Sequence, residues 1–234
     1  MWLQTLASAA ADLIYPPTCV LCGAAGDGGL DLCAGCRTDL PLLGPCCPRC
    51  ALPLPAPATG PCGACLKRPP PFAICRAGFR YEDPLPALIG GLKFRDRFNL
   101  IRLLGRLLAD ELAGLADGRP DVLVPVPLHP RRLRERGYNQ SLELARVIGG
   151  RLGLPMDAGC CERVRATPPQ AALDEKARRR NIRGAFTARD DLAGRHVAII
   201  DDVVTTGSTV GELARALLRA GCVRVDVWAL ARTP

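Results

Sequence analysis

The sequence predicts an α/β fold, a parallel sheet with helices on both faces, preceded by a small cysteine-rich module. Three observations support this fold class. From residue 121 onward, apolar runs that suit buried strands alternate with segments of helical periodicity, which is typical of a mostly parallel sheet. Eight of the 13 cysteines stand in Cys-x-x-Cys pairs before residue 66. With 234 residues, 48% of them hydrophobic, the chain can bury the core of one ordinary domain and a small second one.

The first segment, residues 1–14, has the spacing of a short amphipathic helix. We expect its apolar side chains to pack on neighbouring protein, with membrane contact as the alternative. The segment lacks the basic region and small-residue cleavage pattern of a secretory signal peptide. No apolar run in the sequence approaches the roughly 20 residues that a membrane-spanning helix needs. These observations predict a cytoplasmic protein without an integral membrane segment.

The paired cysteines predict two metal sites. Thiols stay reduced in the cytosol and are then available as ligands. Each Cys-x-x-Cys pair turns two sulfurs to one point, and two pairs complete a tetrahedral site in which protein fills every position, as in structural zinc sites. We expect neighbouring pairs to share one Zn²⁺ each, although spacing alone leaves a crossed pairing, an iron–sulfur cluster or redox dithiols open. The predicted ligands are Cys19, Cys22, Cys33, Cys36, Cys47, Cys50, Cys62 and Cys65.

The other five cysteines lack this spacing. They are predicted to be small buried hydrophobic side chains rather than ligands. These residues are Cys46, Cys75, Cys160, Cys161 and Cys222.

A run of prolines at residues 69–71 marks the end of the cysteine-rich module. Consecutive prolines cannot continue a helix or a central strand, and the segment before them is too short to own a core without metal. We therefore predict a boundary after residue 71. Residues 1–71 would form the N-terminal helix and a double zinc ribbon, and residues 72–234 the α/β domain.

The elements of the α/β domain are predicted in order from periodicity and turn signals. Strands with apolar cores and helices with leucines three and four residues apart alternate along the chain. The predicted elements are an edge strand over 74–81, helices over 85–94 and 100–116, a core strand over 121–126, a crossover helix over 137–152, a short strand over 160–164, a strand over 197–201, its helix over 208–220 and a closing strand over 223–230.

The most informative string of the sequence runs over residues 198–209. It sets a buried strand, the adjacent carboxylates of Asp201 and Asp202, and a loop of small hydroxyl residues directly before a periodic helix. Such a loop offers N–H groups and hydroxyls at a helix N-terminus, where a phosphate is stabilised. Two carboxylates beside it suit a sugar phosphate whose hydroxyls donate to them. An ordinary strand–loop–helix connection is the alternative.

Arginines cluster in two stretches, within residues 131–136 and 176–183, of a chain whose formal net charge is +8. The guanidinium fork binds phosphate oxygens through two parallel hydrogen bonds. These stretches therefore suit pyrophosphate or nucleic acid, with a solvated basic helix face as the alternative. Because the carboxyl ends of parallel strands meet at one edge of a sheet, we expect the loop after Val126 to lie beside Asp201.

The string over residues 198–209 resembles the 5-phosphoribosyl-1-pyrophosphate (PRPP) loop of type I phosphoribosyltransferases. Three further strings accompany it, over residues 125–128, 132–140 and 170–186. Together with the cysteine pairs, they resemble the ComF family over nearly the whole chain. The resemblance implies a type I phosphoribosyltransferase-like sheet behind a double zinc ribbon, predicted amidophosphoribosyltransferase activity, and a link to competence, the uptake of DNA in natural transformation.

The resemblance also implies roles for individual residues. Asp201 and Asp202 would hold the ribose hydroxyls as the catalytic pair, and Mg²⁺ would arrive with the phosphates of PRPP. Arg132 and Arg136 would offset charge on the leaving pyrophosphate. The 5-phosphate would be wrapped by Val204, Thr205, Thr206, Gly207, Ser208 and Thr209, and a flat or anionic substrate or nucleic acid would meet Tyr138, Asn139, Gln140 and Arg178. A helix cap with a basic surface is the alternative for residues 136–140.

Two functions fit these residues. The first is a phosphoribosyltransferase that transfers the 5-phosphoribosyl group of Mg–PRPP to an unidentified nitrogen acceptor. The second is a non-catalytic competence factor that senses PRPP or a nucleotide and binds single-stranded DNA, in partnership with the DNA-uptake machinery. Residues 166–181 are either a flap over the ligand or a surface loop. A redox or purely structural zinc protein would leave residues 201–209 without a purpose.

Overall fold

The computed structural model describes residues 16–92, 98–114, 118–166 and 180–234. The chain divides into two compact units between Leu40 and Pro41. The second pair of cysteine knuckles therefore lies in the same unit as the sheet, whereas the sequence placed it before a boundary at residue 71. That boundary stays a prediction, and the helix predicted over residues 1–14 lies outside the described residues.

The first unit is a small ribbon held by turns. Isolated antiparallel bridges join Thr18 to Ala25 and Asp27 to Leu30. Helix α1 (Ala34–Thr38) follows. A segment of this size buries few apolar side chains, so cross-links between its turns must supply much of its stability.

The second unit is built on a four-stranded parallel sheet. Its strands are β1 (Cys75–Arg80), β2 (Val122–Pro125), β5 (His196–Val204) and β6 (Arg224–Arg232), in the spatial order β1-β6-β5-β2. The central strands β5 and β6 each contain a buried apolar run, as is usual for strands covered on both faces, together with charged residues such as Asp201, Asp202 and Arg232. The predicted edge strand is confirmed as β1, which pairs with β6.

Helices cover both faces of the sheet. Helices α4 (Phe98–Ala113) and α6 (Gln140–Leu152) pack against each other, α4 on strands β1 and β6 and α6 on β5 and β2. Helix α7 (Ser208–Arg219) lies on the opposite face, where its apolar stripe joins a core that includes Val197, Ile199 and Val227. The fold class predicted from the sequence is thereby confirmed.

The remaining elements are short. Helix α2 (Gly63–Lys67) closes the second ribbon, α3 (Leu85–Gly91) precedes α4, and α5 (Pro130–Arg136) precedes α6. Strands β3 (Cys161–Arg163) and β4 (Phe186–Ala188) form a separate antiparallel pair, and a turn of 3₁₀ helix spans Asp190–Leu192.

Several predicted elements need correction. The strand predicted over 160–164 pairs with β4 outside the main sheet. The crossover helix begins at Gln140 rather than residue 137, because Asn139 is its N-cap. Strand β5 runs on to Val204, three residues beyond its predicted end, so the paired acids stand inside the strand.

Candidate functional site

The paired carboxylates lie where strand β5 loses one of its neighbours. Strand β2 ends at Pro125, opposite Ile200, and the Val126 N–H donates to the Ile200 carbonyl at 3.0 Å. Beyond that point β5 continues beside β6 alone. Asp201 and Asp202, both half-buried, therefore lie at the carboxyl end of the sheet, the place where open α/β sheets bind ligands.

Asp201 is held by a hydroxyl and a backbone amide. The Ser141 hydroxyl donates to Asp201 Oδ1 at 3.2 Å, and the Asp202 N–H donates to the same oxygen at 3.0 Å. Burial of the carboxyl group raises the pKa of Asp201 well above its usual range, and the neighbouring Asp202 carboxylate adds to this rise. The two donors oppose the rise because they stabilise the ionised form.

Asn139 places Ser141 at this position. The Asn139 side chain accepts from the Ser141 N–H at 3.1 Å and donates to the Val126 carbonyl at 3.0 Å. It therefore caps helix α6 and ties that helix to the end of β2. The sequence predicted Asn139 as a ligand contact, and in the structure both of its amide atoms bond to the protein.

Arg132 and Arg136 are brought together by helix α5. They stand four residues apart and so share one face of the helix, and both are half-buried. Gln140 Oε1 accepts from Arg136 Nη1 at 3.1 Å and fixes the direction of that guanidinium. Burial and then the charge of Arg132 lower the pKa of Arg136, whereas the Asp202 charge opposes this shift. Arg136 thus interacts with the charge of Asp202, and Arg132 interacts with the charge of Arg136.

A third arginine interacts electrostatically with Arg132 and Asp201, and the sequence analysis did not predict it. Arg163 stands at the end of β3, and its guanidinium carbon lies 5.6 Å from the centre of the Phe186 ring. Burial and the charge of Arg132 lower the pKa of Arg163, and the Asp201 charge opposes the shift. A basic residue in a short strand carries no spacing signal, so sequence reasoning did not single it out.

The hydroxyl loop follows strand β5. Thr206 Oγ1 lies 2.7 Å from Ser208 Oγ, and the Ser208 N–H donates to Thr206 Oγ1 at 3.4 Å. Gly207 occupies the N-cap of α7 with φ of 70°, in the left-handed region that favours glycine. The first N–H groups of a helix have no intrahelical partner, and Gly207 has no side chain to cap them. Because Val204 is buried and belongs to the strand, the open part of the predicted loop begins at Thr205.

Arg232, near the C-terminal end of β6, braces the loop from within the protein. The residue is only 7% exposed, and its Nη1 donates to the carbonyls of Val204, at 3.1 Å, and Thr205. Its Nε donates to the Cys50 carbonyl at 3.0 Å. The sequence analysis missed Arg232. Strand β6 also contains the charged Arg224 and Asp226, so the sequence did not distinguish Arg232 from them.

A cleft of about 510 Å³ borders the loop on the side of the second ribbon. Residues 204–208 form one wall, and the segment from Arg68 to Phe72 contributes to the lining. Arg215, on α7, adds an exposed guanidinium. The paired acids are not part of this lining.

Tyr138 and Arg178 were also predicted to contact a ligand. The Tyr138 hydroxyl donates to the Leu92 carbonyl, and its ring centre lies 6.0 Å from that of Phe98. The ring is therefore held against the protein. Arg178 lies outside the described residues, as does most of the predicted flap over 166–181.

The eight predicted metal ligands form two clusters, each within its own compact unit. Cys19, Cys22, Cys33 and Cys36 make the first, and Cys47, Cys50, Cys62 and Cys65 the second, with all sulfurs of a cluster within 4.8 Å of one another. The pairing of neighbouring knuckles is confirmed, and the crossed pairing is wrong. A Zn²⁺ ion with four sulfurs at about 2.3 Å requires sulfur–sulfur distances near 3.8 Å. The Cys22–Cys33 and Cys50–Cys62 distances are both 3.7 Å, which fits this geometry.

The backbone favours the thiolate at one cysteine of each cluster, whereas the pKa values of Cys22, Cys36, Cys50 and Cys65 are raised. Burial acts to raise the pKa of Cys19 and of Cys47, but backbone hydrogen bonds outweigh it and bring each pKa to about 6. A metal ligand must be deprotonated, so such donors assist binding. The clusters support two structural zinc ions, because protein ligands fill every position of each site.

Four of the five other cysteines are buried, as predicted: Cys75, Cys160, Cys161 and Cys222. Cys46 is only half-buried. Burial raises the pKa of Cys75 to about 12 and that of Cys222 to about 11. These thiols therefore stay protonated and behave as small apolar side chains.

Among the described residues, no helix combines the length and apolar character needed to cross a bilayer.

The chain is similar to several known proteins. The double zinc ribbon domain family matches residues 10–66. DNA utilization protein YhgH of Escherichia coli is 42% identical over 235 residues, which cover 94% of this chain and 99% of that protein. Competence protein F of Haemophilus influenzae is 35% identical over 211 residues, covering 86% and 90%. A solved glutamine PRPP amidotransferase from B. subtilis matches 55% of this chain and 25% of its own, at 22% identity and a TM-score of 0.38. The chain therefore belongs to the ComF family of double-zinc-ribbon competence and DNA utilization proteins.

Proposed function

We propose that this protein binds Mg–PRPP and transfers its 5-phosphoribosyl group to a nitrogen acceptor. One observation carries the proposal. Asp201 and Asp202 border the open end of β5, beside a hydroxyl loop at the N-terminus of α7. A pentose 5-phosphate needs acceptors for its hydroxyls and donors for its phosphate at this spacing along one strand–loop–helix connection.

The charges around the acids suit the leaving group. Arg136 interacts electrostatically with Asp202 and Arg163 with Asp201, and the charge of Arg132 acts on both of these arginines. Guanidinium groups stabilise a departing pyrophosphate by charge and by paired hydrogen bonds. Mg²⁺ would be held by the phosphates of PRPP and by water, since hard oxygen ligands suit that ion.

The transfer itself requires little covalent chemistry from the protein. The bond between C1 and the pyrophosphate oxygen breaks, and its electron pair leaves with pyrophosphate. The lone pair of the acceptor nitrogen then forms the new bond to C1, and the nitrogen releases one proton to solvent water. The protein orients the two reactants and stabilises the positive charge that develops on the ribose. The ionised forms of Asp201 and Asp202 suit this task.

Binding is tested by calorimetric titration of ribose 5-phosphate and Mg–PRPP into the zinc-loaded chain. We expect the double variant Asp201→Asn with Asp202→Asn to weaken binding about hundredfold or more, because two charge-assisted acceptors are lost. The chain offers a matched control in Asp190→Asn with Asp191→Asn, a second pair of adjacent acids that is exposed. Equal affinity in both double variants would contradict the proposal.

The non-catalytic alternative is a protein that senses PRPP and holds single-stranded DNA. This alternative is supported by the likeness to a DNA utilization protein and a competence protein and by the exposed Arg131 and Arg134 of α5. The contact of Tyr138 with Phe98 counts against a free stacking platform. Incubation with Mg–PRPP and a panel of nitrogen bases, glutamine and ammonia separates the two functions, since only the transferase releases pyrophosphate.

A further inference from the structure

The brace formed by Arg232 links the loop to the second metal cluster. The guanidinium donates to the Cys50 carbonyl at one end and to the Val204 and Thr205 carbonyls at the other. Cys50 is a member of the second cluster, with its sulfur 3.7 Å from that of Cys62. One buried side chain therefore joins a predicted metal ligand to the start of the hydroxyl loop.

The knuckle that carries Cys50 is fixed closely to the sheet. The Cys75 N–H, at the start of β1, donates to the Arg49 carbonyl at 2.9 Å. Ala51 is fully buried and has φ of 56°, a left-handed conformation that costs an alanine about 1–2 kcal/mol. Such a conformation persists only where the surroundings hold it. A metal ion held by the four converging sulfurs would be the strongest cross-link in this segment.

We propose that metal binding at the second cluster fixes the hydroxyl loop through Arg232 and thereby sets the affinity of the site for the 5-phosphate. The inference rests on the proposed function for the identity of the ligand. The coupling between metal and loop stands on the hydrogen bonds alone. Arg232 acts as a positioning residue, because it bonds the backbone that carries the loop.

Arg232 carries a buried charge, which is costly unless its donors are hydrogen-bonded. A guanidinium that loses its carbonyl acceptors inside the protein must find others or move to water. Arg232 Nη1 also donates to the Thr233 carbonyl at 2.7 Å and to its hydroxyl at 3.2 Å. When the knuckle relaxes after metal loss, Arg232 loses the Cys50 carbonyl, and its guanidinium can shift towards Thr233 and release the Val204 and Thr205 carbonyls. The N–H groups of the loop then lose the common direction that a phosphate needs.

The two clusters supply a matched pair of variants. Cys62 precedes α2 and Cys33 precedes α1, each at the N-cap of a five-residue helix and each half-buried. Cys33 belongs to the other compact unit. Cys62→Ser and Cys33→Ser should each leave one zinc ion per chain by native mass spectrometry, and only Cys62→Ser should affect the loop.

The test uses the full chain and two measurements. We expect Cys62→Ser to speed hydrogen exchange of the peptide that contains residues 205–208 and to weaken ribose 5-phosphate binding, each about tenfold. Cys33→Ser should change neither. Pyrophosphate affinity should stay within about twofold of wild type in both variants, because pyrophosphate does not use the loop. General loss of structure would lower both affinities together.

Arg232 variants test the route of the coupling. Arg232→Met should reproduce the effects of Cys62→Ser, and combining the two should add less than about twofold, since both remove the same link. Arg232→Lys keeps a donor and should recover part of the affinity; it also serves if Arg232→Met does not fold. Wild-type exchange of the loop in zinc-depleted Cys62→Ser would overturn the inference.

The measurements also separate this inference from the proposed function. If the wild-type protein binds no ribose 5-phosphate while loop exchange still depends on the second metal ion, the proposed function fails and the coupling stands. If ribose 5-phosphate binds equally well to wild type and Cys62→Ser, and loop exchange is also the same in both, the coupling fails and the proposed function stands.

Discussion

Ser141, at the start of one helix, donates its hydroxyl to Asp201, inside a strand 60 residues later, at 3.2 Å. The contact joins the crossover helix to the paired acids. It also stabilises the ionised form of a carboxyl group whose pKa is raised by burial and by Asp202. Ser141 therefore helps to decide the pH at which Asp201 can accept hydrogen bonds from a ribose.

Removal of this hydroxyl should shift the pH dependence of ligand binding. In Ser141→Ala, Asp201 loses a donor to its carboxylate, so its raised pKa rises further. Because the ionised form accepts from the ribose, ribose 5-phosphate affinity should increase with pH, with a midpoint at higher pH in the variant than in wild type. Calorimetric affinities between about pH 5 and pH 9 check this, since the ligand's own titration is common to both proteins.

The control for Ser141→Ala lies on the same helix. Arg146 is exposed and pairs with Glu143 at 2.6 Å, on the surface of α6. Arg146→Ala should leave the pH midpoint unchanged. A midpoint that moves equally in both variants, or that moves to lower pH in Ser141→Ala, contradicts the role given to the hydroxyl.

Asp201 should also reduce stability as the pH rises. Its pKa is higher in the folded protein than the ordinary value of about 4, so the folded state binds the proton more tightly than the unfolded state. The free energy of unfolding therefore falls as the pH rises from that ordinary value through the raised pKa. Asp201→Asn removes this loss and should have a higher melting temperature than wild type near neutral pH.

The difference between the two proteins is the quantity to measure. Melting temperatures of wild type and Asp201→Asn at several pH values cancel the contribution of the metal sites. The stabilisation by Asn should shrink towards acid pH, where the wild-type carboxyl group is protonated in both states. If Asp201→Asn is less stable than wild type near pH 7, hydrogen bonds offset the cost of burying the ionised carboxylate. That result would contradict the raised pKa of Asp201.

The sequence predicted the parts of this fold that have regular periodicity or a dense motif. The apolar runs of β5 and β6 and the leucine spacing of α4 dictate their own secondary structure, because buried strands and amphipathic helices leave distinct patterns. The spacing of the cysteines predicted the eight ligands, and the structure decided which pairs share a cluster. The acids and the hydroxyl loop followed from their order in the string over 198–209.

The features that the sequence analysis missed depend on tertiary contacts or on helix-boundary residues that it did not use. Helix α5 has Pro130 in its first turn and Gly137 in the left-handed conformation at its end, which are ordinary helix boundaries. The helix contains four arginines and no apolar stripe, so its periodicity did not predict it. Arg163 and Arg232 reach the site from strands β3 and β6. Their roles arise from which strands become neighbours, and no local pattern encodes that.

The chain should bind two zinc ions with sulfur ligands only. X-ray absorption at the zinc edge should give four sulfurs at about 2.3 Å. Cys47→Ala should reduce the metal content from two ions to one. Cys75→Ala should leave it at two, because burial raises the pKa of Cys75 to about 12 and its sulfur is outside both clusters. Iron in the purified protein, or a nitrogen or oxygen ligand in the first shell, contradicts this assignment.

Gly207 should matter for ligand binding beyond its effect on stability. Its φ is 70°, and a Cβ built on it meets no atom within 4 Å, so alanine adds strain without a clash. We expect Gly207→Ala to lower the free energy of unfolding by about 1 kcal/mol. Because relief of this strain turns the peptide units of the loop, ribose 5-phosphate affinity should also fall, by about tenfold. Urea unfolding and calorimetry measure the two effects.

Gly194 provides the control with equal strain. It has φ of 75°, and a Cβ there likewise meets nothing within 4 Å, but it lies in the turn before β5, at the opposite end of that strand from the loop. Gly194→Ala should lose a similar amount of stability and keep wild-type affinity. Gly207→Asn should lie between wild type and Gly207→Ala, since asparagine tolerates the left-handed conformation better than alanine. Equal affinities in Gly207→Ala and Gly194→Ala, at equal stability, would show that the direction of the loop N–H groups does not govern phosphate binding.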